Sequence, residues 1–353
     1  MDFTPNPEQQ AVADVVTSVL ERENSWDALV SGGVAALAVP DRLGGDGLGL
    51  LEAATALTEI GRRGTTGPAL STIGLGLVPL LDLASEAQQD RYLAGVAKGA
   101  LLSAALNEQG NQLPEKPSTS FASGKLNGTK IGVPYAESAQ FLIVTADSAV
   151  VVVSPSAAGV TVTKTPTANG SDEYVVTFAD VAVADEDVLA GATVTRVNEL
   201  ALAMTGAFAS GLVAGALRLT ADYVATREQF GKPLSTFQTV AAQLSEVYIA
   251  SRTIDLVATS VVWRLSEDLD AAEDLAILGY WLTSQAPPAM RLCHHLHGGM
   301  GMDITYPMDR YYSSIKDLTR LLGGPSHRLD LVGAELGERS DGKAVLGERS
   351  DGK

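Results

Sequence analysis

Two short stretches hold most of the side chains able to do chemistry. The first, "CHHLHGGMG", runs from Cys293 to Gly301 and sets three of the chain's four histidines and its single cysteine against a glycine pair. A zinc site needs three or four protein ligands converging tetrahedrally. On a helix, however, His294 and His297 share a face while His295 points elsewhere. Cys293 would have to fold back, and only His327 is left to complete a set. Three readings stand at this point: a metal site, ordinary packing and capping histidines, or a place where Gly298 and Gly299 let a ligand lie against bare backbone.

The second stretch is "TREQFGKPLSTFQ", Thr226 to Gln238. It predicts a helix ending at Arg227, a turn at Gly231 and Pro233, and a new helix from near Ser235. An arginine at a helix end often only complements the dipole. The alternative is a planar, permanently charged fork at a bundle corner, suited to a pyrophosphate. Phe230 would then pack beneath a flat aromatic ligand, and Gln229 and Gln238 would read its polar edges. A search for nucleophiles yields little. Ser326 stands beside His327 in "GGPSHRL", but adjacent residues seldom form a triad pair, and no G-x-S-x-G is present. The glycine-rich "DRLGGDGLGL" does not make a dinucleotide loop either, because Gly45, Gly47 and Gly49 miss the required spacing and no βαβ unit surrounds them.

The elements that must position these stretches fall into three textures. Residues 1–100 are helical in pattern: in "PNPEQQAVADVVTSVLERE", Val12, Val15, Val16, Val19 and Leu20 recur at helical spacing. Residues 101–192 alternate short Val- and Thr-rich runs with Gly, Asn, Asp and Pro, the pattern of antiparallel strands in a small β domain. Residues 193–336 return to long helices. Val240, Val247, Ile254 and Val261 lie seven apart, with Leu244, Ala258 and Leu265 as a companion stripe, which predicts bundle packing. The preceding helix is rich in Ala and Gly on all sides, so its neighbours can approach closely, and Pro287 and Pro288 should interrupt the helix before the histidines. In the tail, 337–353, "LGERSDGK" repeats what begins at Leu336 and restarts at Leu346; we read this as a cloning feature outside the fold.

Composition narrows the function classes. Hydrophobic residues make up 46% of the 353 and aromatics 5%, so the core is Ala, Val and Leu and favours packed helices. Lys+Arg 25 against Asp+Glu 42 gives a net charge of −17, which disfavours nucleic acid and anionic membrane as partners. One cysteine leaves no internal disulfide and fits a reducing compartment. No leader pattern opens the chain and no run approaches 18 uninterrupted apolar residues, so a soluble cytoplasmic protein is expected.

These pieces coincide in one family. "REQFGKPLSTFQ", a long helix and then "HLHGGMGMDITYPMDRYYSSIKD" resemble the C-terminal bundle of the acyl-CoA dehydrogenases. "FADVAVADEDVLAG" resembles the end of their β domain, and "MDFTPNPEQQAV" with "VPDRLGGDGLGLLE" their N-terminal helices. The resemblance reaches to about Leu336. It implies a mainly α fold with a central β domain, FAD as cofactor, and flavin bound across subunit boundaries in tetramers. Arg227, Gln229, Phe230 and Gln238 would contact the ADP half of a flavin held mainly by the neighbouring subunit, and His295, Gly298 and Gly299 would approach it from the next helix. The family usually carries Gln where His295 aligns; an imidazole still makes one hydrogen bond there.

The departures are as informative. The family removes an α-proton with a glutamate while a β-hydride moves to the flavin. Its two glutamate positions align here with Leu322 and near Ala201. Glu199 is two residues from the latter, which on a helix turns a side chain about 200° away. The family's Gly-Ser-Asp stretch appears as "NEQGNQLPEKP", and the aromatic-Ile-Thr strand beside the flavin ring as Ile131, Gly132 and Val133 in "KIGVPYAES". The resemblance therefore implies a non-catalytic subunit of an α2β2 heterotetramer. Its partner would be a related, longer acyl-CoA dehydrogenase chain supplying the base, like the assemblies of actinobacterial steroid-CoA degradation. Two alternatives stay open: a homotetramer using Glu199 or Asp317 as base, and a flavin-free helical scaffold.

Overall fold

The computed structural model describes the backbone of residues 3–348 and the side chains of 3–337. The N-terminal helices are α1 (Pro7–Arg22), α2 (Trp26–Ser31), α3 (Leu50–Arg62), α4 (Val78–Leu83) and α5 (Glu86–Leu93), and a π-helical stretch, Leu70–Leu77, leads into α4. Helix α1 starts where local chemistry says it should. Pro7 opens the first turn, Asn6 Oδ1 accepts from the Gln9 N–H at 2.7 Å, and the Gln9 side chain accepts from the Asn6 N–H at 2.9 Å. Such a box satisfies two of the donors that a helix start leaves orphaned. The buried stripe is narrower than the sequence pattern: Val12, Val16 and Leu20 are buried, whereas Val15 is 40% exposed.

Seven strands follow: β1 (Leu101–Ala105), β2 (Ser120–Ala122), β3 (Lys125–Pro134), β4 (Ala139–Thr145), β5 (Val150–Val153), β6 (Val160–Thr165) and β7 (Glu173–Ala182). They form one sheet in the order β1-β4-β5 and another in the order β2-β3-β7-β6. The expectation of antiparallel pairing holds except at β1 and β4, which run parallel. The reason is the long crossover between them, which contains the β2–β3 hairpin; parallel neighbours need such a connection and antiparallel ones do not.

The bundle comprises α6 (Val194–Thr226), α7 (Gln238–Ser266), α8 (Ala272–Ser284), α9 (Ala286–His297), α10 (Met308–Leu321) and α11 (Gly324–Glu348), with the small hairpin β8 (Glu228–Gln229) and β9 (Lys232–Pro233) at the α6–α7 corner. Pro287 and Pro288 sit in the first turn of α9, where the missing N–H costs nothing. Along α7, Val247, Ile254 and Val261 are fully buried, and Ala258 and Leu265 nearly so. Helix α11 continues through the first tail repeat, and the end of the second repeat lies outside the described residues.

Helix α6 is the centre of the molecule. It is long and apolar enough to cross a bilayer, yet 89% of its most apolar window is buried inside the fold. Its small residues let α3 cross it backbone to backbone: a Cβ on Gly211 would run into the Thr58 carbonyl, and one on Gly61 into the Phe208 carbonyl. One hydrophobic cluster joins α1, α3 and the π-helical stretch to α6–α10, while Leu126, Leu142, Val144, Val176 and Phe178 belong to a second cluster inside the β domain.

Candidate functional site

The two stretches singled out above meet at one corner. Helix α6 ends as expected at Arg227, whose N–H caps on the Tyr223 carbonyl at 2.8 Å. The chain then reverses through β8 and β9, with Phe230 (φ 54°) and Gly231 (φ 80°) as the two turn residues. Positive φ at both positions is what a two-residue hairpin of this hand requires, and for a phenylalanine it is strained. Phe230 is nevertheless 92% exposed, its ring set edge-on to Phe237 at 6.2 Å between ring centres. Arg227, Gln229 and Gln238 are exposed too. Arg227 makes no ion pair among the described residues.

The second stretch approaches from α9. His295 is exposed, and nothing lies within 4 Å of where a Cβ on Gly298 or Gly299 would stand. Gly298 takes φ 57° and ψ −134°, a combination side chains avoid. His294 Nε2–H donates to the Gly301 carbonyl at 2.6 Å and holds the loop after α9. His297 is buried; its Nδ1–H donates to the Cys293 carbonyl at 2.8 Å, and its ring stacks on Tyr223 at 4.6 Å and meets Tyr306 at 5.3 Å. Burial holds this imidazole below its ordinary pKa, and its Nε2 has no partner among the described residues. Tyr223 thus carries the Arg227 cap on its carbonyl and the His297 ring on its face, so one residue sets the two stretches against each other. Sequence reasoning missed this clamp. The available signal was Tyr223 standing one helical turn before Arg227. Cys293 is a packing residue: burial pushes its thiol up to about 11.

A second feature is a cavity of ≈ 120 Å³ between α6, the α10 end, the π-helical stretch and β3. Ala201 and Leu322, far apart in sequence, both line it, as do Phe208, Leu318 and Gly132. The carboxylates on its wall are all engaged. Asp317 accepts from the Ala168 and Asn169 N–H groups at 3.0 and 2.9 Å. Glu173 takes Arg320 at 2.6 Å, and Asp172 pairs with Lys164. Glu199 does not line the cavity. It lies beside Arg196 at 3.7 Å, with burial raising its pKa.

The helices that frame these two features match family models described as acyl-CoA dehydrogenase, N-terminal domain, over residues 6–100 and acyl-CoA dehydrogenase, C-terminal domain, over residues 195–335. The chain belongs to the acyl-CoA dehydrogenase family. It is 73% identical over 334 residues to acyl-CoA dehydrogenase FadE28 of Mycobacterium tuberculosis H37Rv, covering 95% of this chain and 98% of that protein. Among solved structures it is similar to the ChsE4-ChsE5 complex from Mycobacterium tuberculosis, with a TM-score of 0.88 at 28% identity over 96% of this chain and 99% of that one. It is similar also to the Tcur3481-Tcur3483 steroid ACAD G363A variant, with a TM-score of 0.87 at 27% identity over 95% and 99%.

FAD, which the family implies, meets two unequal sets of residues here. The corner carries groups whose chemistry suits a nucleotide: an arginine with no ion pair among the described residues, an outward phenylalanine and two glycines with open space beside them. The cavity does not fit the ring end. Its enclosed space, at ≈ 120 Å³, is less than the void of about 150 Å³ that holds one benzene, so three fused rings would not be enclosed by this chain alone.

Proposed function

We propose that this chain is the non-catalytic subunit of an FAD-dependent acyl-CoA dehydrogenase that introduces an α,β double bond into an acyl-CoA thioester. It works as an α2β2 heterotetramer with a related, longer subunit in the cytoplasm, on a bulky substrate of the steroid side-chain class. The observation that carries this reading is the pair Ala201 and Leu322: both family base positions converge on one cavity, and both are apolar. The three acidic residues on that wall are committed to backbone amides or cations. The solved relatives, a two-protein complex and a steroid ACAD, support the heteromer and the substrate class.

Bound FAD supplies the hydride acceptor. In this reading the α-proton goes to a carboxylate of the partner subunit, because a thioester α-proton needs a positioned base, worth about 10²- to 10⁴-fold. This chain's own work is electrostatic and steric. Arg227 offers a fork to the pyrophosphate of the partner's flavin. Gln229, Gln238 and His295 offer hydrogen bonds, Phe230 offers a flat face, and Gly298 and Gly299 let the nucleotide approach the backbone. The test is purification of the chain alone and with its partner. Alone it should be colourless and inactive, and together yellow and active. A yellow, active preparation of this chain by itself refutes the reading.

A further inference from the structure

Three residues of one loop, Leu106, Asn107 and Leu113, stand on the wall of the cavity. The loop runs from β1 to β2, and its base is knotted by a buried ion pair. Lys130, fully buried on β3, donates to Glu108 at 2.9 Å and to the Leu106 carbonyl and Thr145 Oγ1 at 3.2 Å each. Glu108 also accepts from the N–H and hydroxyl of both Ser118 and Thr119 at 2.7–2.9 Å, which joins the two ends of the loop.

The tip is bonded in three directions. Asn107 Nδ2–H donates to the Leu321 carbonyl at 2.9 Å, and Asn107 Oδ1 accepts from the Leu113 N–H at 2.9 Å. Asn198 on α6 donates to the Leu113 and Pro114 carbonyls at 3.1 and 3.0 Å. It does so although its own Oδ1 is buried with no partner among the described residues. His327 on α11 reaches the Gln112 carbonyl at 3.4 Å. Leu113 is held at φ 52° and lines the cavity beside Leu321 and Leu322. Beneath it, Arg328 Nε–H donates to the Leu322 carbonyl at 2.7 Å and pins the same corner. The segment that should cradle a flavin is thus bonded directly to the corner that should carry the base.

We propose that the Asn107–Pro114 segment is a resident plug, and that Asn107, Leu113 and Asn198 are the residues that decide which subunit's site takes the flavin ring. The idea rests on the heteromeric reading above and adds a cause to it: this chain's half is shut by bonded geometry as well as lacking a base. Restoring a carboxylate at Leu322 therefore cannot by itself create a second active site.

The experiment uses the purified heteromer. Three quantities are measured: flavin per polypeptide, hydrogen exchange at the Leu113 amide, and binding of lumichrome, the bare tricyclic ring, with the resident flavin in place. In the wild type we expect one flavin per partner chain, a Leu113 amide protected like the core, and no lumichrome bound. Leu322→Glu leaves the flavin count unchanged. Asn198→Asp turns two attractions into repulsions without changing shape, so Leu113 exchange rises by about a hundredfold or more while Leu212 and Ile254 keep their protection, and lumichrome binds. Leu113→Gly is the second variant. A glycine is at ease at positive φ, so the fold is kept while the plugging side chain is removed, and lumichrome again binds. Lumichrome on the wild type, a fast-exchanging Leu113, or a Leu113→Gly heteromer still closed to lumichrome overturns the plug. A yellow, active single chain sinks both proposals, whereas one flavin per partner chain with a fast-exchanging Leu113 sinks only this one.

Discussion

Replacing Lys130 by methionine removes one charge from a pair that is out of contact with water, the side chains being 0% and 6% exposed. Two opposing effects set the magnitude. Burial by itself would raise Glu108, but Lys130 and the Ser118 and Thr119 donors outweigh it and hold the carboxyl at about 2 in place of 4.5. Such a displacement stores about 3 kcal/mol. Against it, Lys130 sits below its ordinary value because burial outweighs its attraction to Glu108, so the pair is worth less than that figure. Removing one partner nevertheless strands the other, which typically costs about 3–5 kcal/mol. With four donors still serving Glu108, we expect Lys130→Met to cost about 3 kcal/mol at pH 7. Lys130→Met with Glu108→Gln should cost less than Lys130→Met alone.

The pH dependence makes the test sharper. In the wild type the Glu108 contribution is fully present above the ordinary carboxyl range and is lost as pH falls towards 2. In Lys130→Met one of the groups that hold the carboxyl down is gone while the Ser118 and Thr119 donors remain, so its pKa moves back towards the ordinary value and the deficit shrinks as pH falls through the carboxyl range towards 2. Chemical denaturation of both proteins across that range, followed by circular dichroism, reads the difference. A deficit that stays constant with pH, or a double variant worse than the single one, refutes the reasoning.

Three further outcomes are expected. Arg227→Ala should weaken flavin retention by the heteromer about 10- to 100-fold, the worth of one charge-assisted hydrogen bond, measured by fluorescence of released flavin. Burial depresses the His297 imidazole, so its contribution is intact above about pH 6.5 and is lost as pH falls through that value. Flavin should therefore be released more readily at pH 5.5, and His297→Phe, which keeps the stack with Tyr223 and Tyr306, should remove the pH step. Gly211→Ala drives a methyl group into the Thr58 carbonyl and should cost about 1–3 kcal/mol, seen as a lower thermal midpoint at unchanged secondary structure.

What could be read from the sequence was what local chemistry specifies. Asn6, Pro7 and Gln9 announce the start of α1. The seven-residue spacing of Val247, Ile254 and Val261 announces the buried face of α7, and the Ala and Gly content of α6 announces a close crossing. The corner was legible for a similar reason: Arg227, Phe230 and Gly231 are unusual choices packed into a few positions. The plug was not, because Asn107 and Leu321 lie 214 positions apart, Asn198 and Leu113 lie 85 apart, and none of the four is a distinctive residue type. The β1–β4 pairing escaped for the same reason, since strand direction depends on a crossover whose path no short run encodes.

The cluster shared by helices from both ends of the chain bears on how the polypeptide is made. When α1 and α3 leave the ribosome they can pack on each other, but the face of α3 that crosses α6 has no partner until α6 has been synthesised. The buried members of the second cluster all lie between Ala105 and Val183, so that interior is complete in the chain before α6 exists. The first cluster, which runs from Val12 to Leu322, is complete only once α10 has emerged.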